Sequence, residues 1–530
     1  MKTKYIGLII IFLIAFTACQ KDDYSVAEPV IEDPSVSAPD PTFSMGSADF
    51  STFVSVGNSL TAGYSDGALF AKGQAASFSN ILAQQFMLVG GGEFTQPLMG
   101  DDIGGLLLNG QQIADTRRIF DVVAQEPVFV SGSASTDIAN VTAGPYNNMG
   151  VPGAKSFHLL APGYGSLANF PDAANPYFIR MASTPEATVI GDAMAKNPTF
   201  FSLWIGNNDV LGYATTGGDD TDPITDKATF DFALTTLVET ITAGGAQGII
   251  SNIPNVTDTP YFTTVPYAPL DPTNPDFGPQ IPTLNGIFGQ LNQVYAFLGM
   301  PERSILFSQT AASAVVIKDE TLVDISAEIA AVLNGSPQFP LFVQQFGLPA
   351  EAAPAVANLL GVIYGKTRQA NESDLLVLTS RNVIGTVNLD VMAFLQTQGL
   401  PADLAGQFAV EGITNPLEDK WVLLPSEQDE IATATSDFNE TIQNLAAQSD
   451  VAFFDVNTFF RGVAEVGFQA GSAFMTADYV TGGTFSLDGI HPSPRGNAVV
   501  ANQMIGIINE KYGSTIPKVN PVDYTGLYID

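Results

Sequence analysis

Short apolar stretches alternate with amphipathic helical stretches along this chain, and this alternation constrains the fold more than any other sequence feature. The apolar stretches have strand length and occupy residues 53–56, 199–205, 248–254 and 451–456. Apolar residues at helical spacing mark residues 74–87, 230–241, 437–447 and 498–512. Strands separated by helices pair in parallel and are covered on both faces. The sequence therefore predicts an α/β fold built on a parallel sheet.

The alternation lapses over residues 258–420, where Pro-rich loops and apolar helical runs replace it. We interpret this stretch as a mainly helical insertion. It divides the α/β domain into a first part at residues 48–257 and a second part at residues 421–515. Residues 516–530 form a C-terminal tail. Because the insertion's helices are apolar on more than one face, they must pack on something. A cap beside a functional site and a plain stabilising subdomain are both compatible with this pattern.

The N-terminus carries the features of an export signal. Lys2 and Lys4 precede an apolar run at residues 6–16. This run is shorter than the ~20 residues that a transmembrane helix needs. Cys19 is the only cysteine of the chain and follows small residues, so it resembles the lipidated cysteine of bacterial lipoproteins. Residues 1–18 are thus predicted to be a lipoprotein signal peptide, with an ordinary cleaved signal peptide as the alternative.

Residues 19–47 are rich in Pro, Ser, Asp and Glu and contain few large apolar residues. Such a composition predicts a flexible stalk. Residues 20–23 resemble the surface-export tag of Bacteroidetes lipoproteins. These resemblances imply a protein of the cell envelope that is anchored to the outer membrane through a lipid on Cys19. Export to the cell surface and the membrane leaflet stay open.

Acidic residues outnumber basic ones by 54 to 20, which gives a net charge of −34. Binding to nucleic acid needs clustered Lys and Arg, so nucleic acid is excluded as a partner. The charge also argues against attraction to anionic lipid surfaces. With only two histidines and one cysteine, the chain has no zinc-binding pattern. We interpret the acidic excess as a solvated surface.

Two short segments contain the residues of a nucleophilic catalyst. Ser59 lies in the turn that follows the first predicted strand. A serine where a strand breaks into a helix is placed for attack on a substrate. Asp488 precedes His491 by three residues, and a carboxylate at that spacing can orient the histidine as a base. Together the three residues can form a Ser/His/Asp triad.

Four segments, taken in chain order, carry a family resemblance. They are Gly57–Leu60, Asn148–Ala154, Gly206–Asp209 and Asp488–Pro492. The ordered set resembles the SGNH/GDSL hydrolases, a family of esterases and acylhydrolases. The resemblance covers about residues 50–260 and 420–515, and the insertion is longer than that compact fold requires. Position 58 is a departure, because it holds Asn where the family usually has Asp.

The resemblance implies a role for each matching residue. Ser59 would be the nucleophile, His491 the general base and Asp488 the residue that orients the imidazole. The oxyanion hole would comprise the backbone N–H groups of Ser59 and Gly153 and the side-chain amide of Asn208. The implied fold is a three-layer α/β/α sandwich with a flavodoxin-like parallel sheet. The implied chemistry is ester hydrolysis with no metal and no cofactor.

The sequence leaves the substrate open. The apolar insertion favours a lipase or acylhydrolase that acts on lipid esters. A polysaccharide O-deacetylase acting on an acylated glycan suits a surface protein equally well. A catalytically silent glycan-binding lipoprotein is the alternative from another functional class. The oligomeric state is not specified by any pattern in the chain.

Two other segments resemble functional motifs. Residues 63–67, Gly-Tyr-Ser-Asp-Gly, match the G-x-S-x-G nucleophile elbow. The elbow requires a strand that ends at its first glycine, and no strand fits between Gly57 and Gly63. The acidic segment 218–222 is suggestive of a calcium loop, but it lacks the spacing of an EF-hand. We interpret the first as a chance match and the second as a solvated turn.

Overall fold

The computed structural model describes residues 43–530, so the predicted signal peptide, Cys19 and most of the predicted stalk lie outside the described residues. Its centre is a sheet of five parallel strands, in chain order β1 to β5: Phe53–Gly57, Asn148–Gly150, Phe200–Trp204, Gln247–Ser251 and Ala452–Phe454. The spatial order of the strands is β2-β1-β3-β4-β5. The predicted α/β class and parallel sheet are confirmed. Strand β2 is not among the predicted strands.

Both faces of the sheet are buried, because neighbouring residues of each strand enter different hydrophobic cores. Val54 of β1 and Phe201 of β3 belong to one core, whereas Phe53 and Phe200 belong to another. Side chains of a strand alternate between its two faces. An apolar run without polar interruption is therefore what a strand with two covered faces requires. This explains why β1 and β3 read as continuous hydrophobic segments.

Six helices supply the partners for these two faces. The first core contains residues from helices Val189–Met194, Lys227–Thr242 and Pro425–Gln448. The second contains residues from helices Phe78–Met87, Val456–Val466 and Pro494–Tyr512. Two helices of the first core meet through Phe230 and Phe438, whose rings stack with centroids 3.9 Å apart. Burial of such large aromatic side chains dominates core stability.

The stretch predicted to be an insertion contains seven α-helices joined by long loops. Its helices are Pro260–Thr263, Ile281–Phe297, Ser326–Gly335, Phe339–Gln344, Ala353–Tyr364, Leu389–Thr397 and Ala402–Gln407. Phe262 of Pro260–Thr263 belongs to the first core of the sheet, and Leu389–Thr397 and Ala402–Gln407 meet around Leu395 and Ala405. The other four helices share a hydrophobic core of their own, which includes Phe288 and Tyr364. Trp421, at the end of the insertion, packs against both this core and the first core of the sheet. Residues 43–530 belong to one compact unit.

Short elements complete the chain. Three antiparallel hairpins pair Leu106–Leu108 with Gln111–Ala114, Arg118–Asp121 with Glu126–Phe129, and Phe468–Ala470 with Ala473–Met475. Two ladders join Val316–Lys318 to Thr367–Gln369 and Leu375–Leu376 to Val422–Leu423. Four further helices are Ser59–Ala62, Ala71–Ala75, Pro176–Ile179 and Asn208–Thr215. Over residues 43–530, no helix has both the length and the apolar character needed to cross a membrane.

Candidate active site

Ser59 begins a short helix directly after strand β1. The helix is capped by Asn58, whose side-chain oxygen accepts a hydrogen bond from the Leu60 N–H at 3.0 Å. Gly57 makes this sharp turn feasible, because a Cβ there would lie 2.3 Å from the Trp204 carbonyl oxygen of strand β3. The Ser59 side chain is thus presented at the carboxyl end of the sheet, where open α/β folds place their ligands.

The departure from the family pattern at position 58 has a structural counterpart. The Asn58 amide nitrogen donates to the side-chain oxygen of Asn207 at 3.0 Å, while its oxygen caps the helix. An aspartate could accept from the Leu60 N–H but has no proton to donate when ionised. Asn58 therefore links the turn after β1 to the turn after β3. Asn207 directly precedes Asn208, one of the candidate oxyanion residues.

Ser59, His491 and Asp488 form a continuous chain of contacts. Nε2 of His491 lies 2.7 Å from Oγ of Ser59, and Nδ1 lies 3.0 Å from Oδ2 of Asp488. The serine and the histidine are 432 positions apart in the sequence. All three side chains sit within hydrogen-bonding distance in the order hydroxyl, imidazole, carboxylate. This is the geometry that lets a histidine remove a proton from a serine.

Asp488 is held as a carboxylate by its surroundings. Its Oδ1 accepts hydrogen bonds from the backbone N–H groups of Ile490 and His491, both at 2.9 Å. Its Oδ2 also accepts from the Gly67 N–H at 3.0 Å. Burial opposes ionisation, but the contact with His491 and these hydrogen bonds hold the pKa of Asp488 well below its usual range. An ionised Asp488 can fix the tautomer of the imidazole.

The segment that matched the nucleophile elbow supports Asp488. Asp66 accepts a hydrogen bond from the Leu487 N–H at 3.0 Å, and its own N–H donates to Ser486 at 2.9 Å. Burial, together with the nearby Asp488, raises the pKa of Asp66 to about 6. Ser65 is buried and its hydroxyl contacts Asp66. Residues 63–67 were singled out as a motif, but their contacts with residues 486–488 were not foreseen.

The oxyanion candidates occupy the turns after β2 and β3. The Asn208 amide donates to the Ala154 carbonyl oxygen at 2.8 Å, which leaves its second N–H for another acceptor. Gly153 precedes Ala154, is exposed, and has a φ of +80°, which favours glycine. Asn208 lies in one cleft with Ser59 and His491. Gly153 reaches this group through the contact between Asn208 and Ala154.

Two recesses meet at His491. The first, called here the apolar cleft, contains Ser59 and Asn208 and is otherwise formed largely by apolar side chains, among them Leu60, Trp204, Leu211, Phe460 and Phe485. The second, called here the arginine recess, contains Asp488 and His491 but not Ser59 or Asn208; Tyr64, Arg118, Tyr261, Arg381 and Tyr479 also line it. Tyr261 and Arg381 come from the insertion, which therefore forms part of the wall beside the histidine.

A separate group of carboxylates offers ligand atoms for a cation. Within the described part of the chain, Glu320, Asp419 and Glu427 place carboxylate oxygens within 4.8 Å of one another. Burial, with the like charge of Glu320, raises the pKa of Asp419 to about 7 and that of Glu427 to about 9. The acidic turn at 218–222 lies against this group at Gly218. Protons on these carboxyl groups can relieve the repulsion without a metal.

A hydroxyl, an imidazole and a carboxylate in this geometry can carry out nucleophilic acyl transfer on any scaffold that holds them. Such triads recur on unrelated folds and are recognised by geometry and by the role of each group. The amide of Asn208 in the same cleft provides a donor for a developing oxyanion.

Comparisons of the chain with protein-family models, with curated proteins and with solved structures find no match.

Proposed function

We propose that this protein is a serine hydrolase that cleaves carboxylic esters and that it belongs to the SGNH/GDSL hydrolases. The observation that carries the proposal is the 2.7 Å contact between Ser59 Oγ and His491 Nε2, with Asp488 on the other side of the imidazole. A serine hydroxyl is a weak nucleophile unless a base lies within hydrogen-bonding distance. The distance to Nε2 supports His491 as that base.

The three groups of the triad act in sequence during the reaction. Oγ of Ser59 attacks the ester carbonyl carbon while Nε2 of His491 takes the hydroxyl proton. The tetrahedral intermediate then expels the alcohol, which receives that proton from His491 as the C–O bond breaks. Water then attacks the acyl carbonyl carbon while Nε2 of His491 takes one of its protons. As the C–Oγ bond breaks, Oγ of Ser59 regains a proton from His491 and the carboxylic acid leaves. Asp488 stays ionised and stabilises the imidazolium that forms in both steps.

The oxyanion of each intermediate would be bound by the N–H groups of Ser59 and Gly153 and by the Asn208 amide. These donors are fixed by the turns after three neighbouring strands, β1, β2 and β3. Donors that are already oriented need no reorganisation as charge develops. The second N–H of Asn208 is the proton available for this role, since the first is bound to Ala154.

The strand order supports the family assignment. With the strands numbered along the chain, their spatial order across the sheet is 2-1-3-4-5, which is the order of flavodoxin-like sheets. We accordingly propose a three-layer α/β/α sandwich of that kind, interrupted by the insertion between β4 and β5. Lipid anchoring through Cys19 in the outer membrane is part of the same proposal, and its residues lie outside the described range.

Hydrolysis of short-chain p-nitrophenyl esters by the wild type and by Ser59→Ala tests this function. We expect turnover by the wild type and loss of it in the variant. Ser65→Ala is the comparison for the rival motif: because its hydroxyl contacts Asp66 and no group of the triad, the variant should keep most of its turnover. A serine-directed phosphonate should add mass at Ser59 alone. Equal turnover by the wild type and Ser59→Ala would refute the proposal.

A further inference from the structure

Within the described part of the chain, two arginines beside the candidate catalytic histidine have no hydrogen-bond or ion-pair partner. The chain contains eight arginines. Six of them donate a side-chain hydrogen bond: Arg117, Arg180, Arg303, Arg368, Arg461 and Arg495. Among residues 43–530, the guanidinium groups of Arg118 and Arg381 make no hydrogen bond and no ion pair. Both of these unpaired groups line the arginine recess.

Arg118 is positioned close to the triad. One of its guanidinium nitrogens lies 2.5 Å from the point where a Cβ on Gly67 would stand. Gly67 is the residue whose N–H binds Asp488. The guanidinium group also lies over the Phe129 ring, 5.0 Å from its centroid. Stacking on Phe129 therefore holds Arg118, and the lack of a side chain at Gly67 leaves room for its guanidinium group. The N–H donors of that group remain for another acceptor.

Arg381 approaches the same recess from the insertion. It lies in the short helical turn Leu378–Asn382 and is exposed. Burial raises the pKa of Tyr479 to about 12, and the charges of Arg118 and Arg381 act in the opposite direction. Both guanidinium groups thus lie within electrostatic range of one tyrosine in the recess wall. Glu126 also lines the recess, but neither arginine is ion-paired with it.

The position of these charges relative to the reacting groups assigns them to the alcohol side of an ester. The apolar cleft contains Ser59 and Asn208, so it suits the acyl group. The leaving oxygen must take its proton from His491 and therefore leaves on the histidine side. The arginine recess contains His491 and Asp488 but neither Ser59 nor Asn208. A group bound there belongs to the alcohol.

We propose that the arginine recess is a subsite for an anionic group, a carboxylate, sulfate or phosphate, carried by the alcohol part of the ester. This inference rests on the proposed hydrolase function and narrows its substrate class. Arginine donors match the oxygens of such groups. The recess also contains the carboxylates of Glu126 and Asp488, but neither arginine is paired with them, so both guanidinium groups keep their donors for an anionic ligand.

The test uses pairs of aryl acetates that differ only in charge. 3-Acetoxybenzoate and 3-acetoxybenzenesulfonate are the anionic members, and 3-acetoxybenzamide is the neutral one. We expect Arg118→Gln and Arg381→Gln each to lower kcat/KM for the anionic esters by about 10-fold, the size of one charge-assisted hydrogen bond. The neutral ester should lose clearly less, because its amide oxygen can accept a hydrogen bond but carries no charge to pair with the guanidinium group. The two anionic arms separate a carboxylate subsite from a sulfate-type one.

Matched variants exclude general effects of charge and folding. Lys227→Gln removes one exposed positive charge on the helix Lys227–Thr242, away from both recesses, and should leave the anionic-to-neutral ratio unchanged. Arg118→Lys keeps the charge and should recover part of the preference. Equal losses on anionic and neutral esters, or no loss on either, would overturn the subsite.

Binding measured by calorimetry to Ser59→Ala separates the subsite from the hydrolase proposal. Benzoate and benzenesulfonate should bind this inactive variant and lose affinity when Arg118 or Arg381 is also replaced. If no ester is hydrolysed by the wild type but this binding is observed, the hydrolase proposal fails and the anion subsite stands. If esters are hydrolysed and neither anion binds, the subsite fails and the hydrolase stands.

Discussion

The backbone N–H of Gly67 donates to Oδ2 of Asp488 at 3.0 Å, and this is the same oxygen that faces Nδ1 of His491. The contact ties the loop after the first helix to a segment 421 positions later. Asp66 reinforces it by accepting the Leu487 N–H. The carboxylate of the candidate triad is thus oriented from two sides, by its own turn and by a distant loop.

Replacing Asp66 should lower activity through the position of Asp488. Asp66→Ala removes the acceptor of the Leu487 N–H, and we expect kcat to fall by about 10-fold with little change in KM, because an imperfectly positioned catalytic group affects the transition state more than binding. Asp66→Asn keeps an acceptor oxygen and should restore most of kcat. Steady-state kinetics on p-nitrophenyl acetate checks both. Failure of the Asn variant to recover would argue against a positioning role.

Removing the carboxylate of Asp488 should have a larger effect. Asp488→Asn is nearly isosteric but cannot stabilise the imidazolium, and it favours the wrong tautomer of His491. We expect kcat to fall by about 10⁴-fold. Equilibrium unfolding in urea serves as the control, since the fold should persist. A kcat within 10-fold of the wild type, with intact folding, would remove Asp488 from the triad.

Asn208→Ala tests the oxyanion hole. Loss of one donor of this kind costs about 10²–10³ in kcat. Because the amide also binds the Ala154 carbonyl oxygen, the loop that contains Gly153 should loosen as well. Asn169→Ala is a control that removes a side-chain amide from another loop. An unchanged kcat in Asn208→Ala would show that the oxyanion is stabilised elsewhere.

The amide at position 58 should matter more for stability than for chemistry. Asn58→Ala removes a helix cap, typically about 1 kcal/mol, together with the hydrogen bond to Asn207. Asn58→Asp keeps the cap. If the side-chain amide of Asn207 rotates, its NH₂ group can donate to the new carboxylate and restore the link between the two residues. We therefore expect a lower Tm in the Ala variant and near-normal Tm and kcat in the Asp variant. Equal losses of Tm in the two variants would contradict this account.

The buried carboxylates predict a pH dependence of stability. The pKa of Glu427, about 9 in the folded protein, exceeds the 4.5 typical of an exposed glutamate. Between these two pH values the folded protein retains a proton that the unfolded chain releases, so stability falls as the pH rises through this window. Glu427→Gln cannot ionise, and its advantage in Tm over the wild type should grow from pH 5 to pH 9.

Calorimetric scans at pH 5, 7 and 9 measure that advantage. Asp429→Asn, at an exposed position of the same helix, is the control and should shift Tm by a similar amount at every pH. A difference between Glu427→Gln and the wild type that stays constant across the three pH values would contradict a proton held by Glu427.

Sequence patterns predicted the strands with long apolar runs, because burial on two faces requires such runs. They missed β2, which has only three residues and begins with Asn148. They also brought out Ser59 and the Asp488–His491 pair, whose spacing is local. The contact between Gly67 and Asp488 could not be predicted, because it depends on a positive φ and on a fold that joins distant segments. The approach of Arg381 depends in the same way on the packing of the insertion.

The distance in sequence between Ser59 and His491 has a consequence for biosynthesis. A growing chain that has emerged only as far as the insertion contains a serine without its base. Domains generally fold as units, and here the segment that docks on Gly67 and Ser59 is among the last to be made. Any hydrolytic activity should therefore be absent from nascent chains and from fragments that end before residue 488.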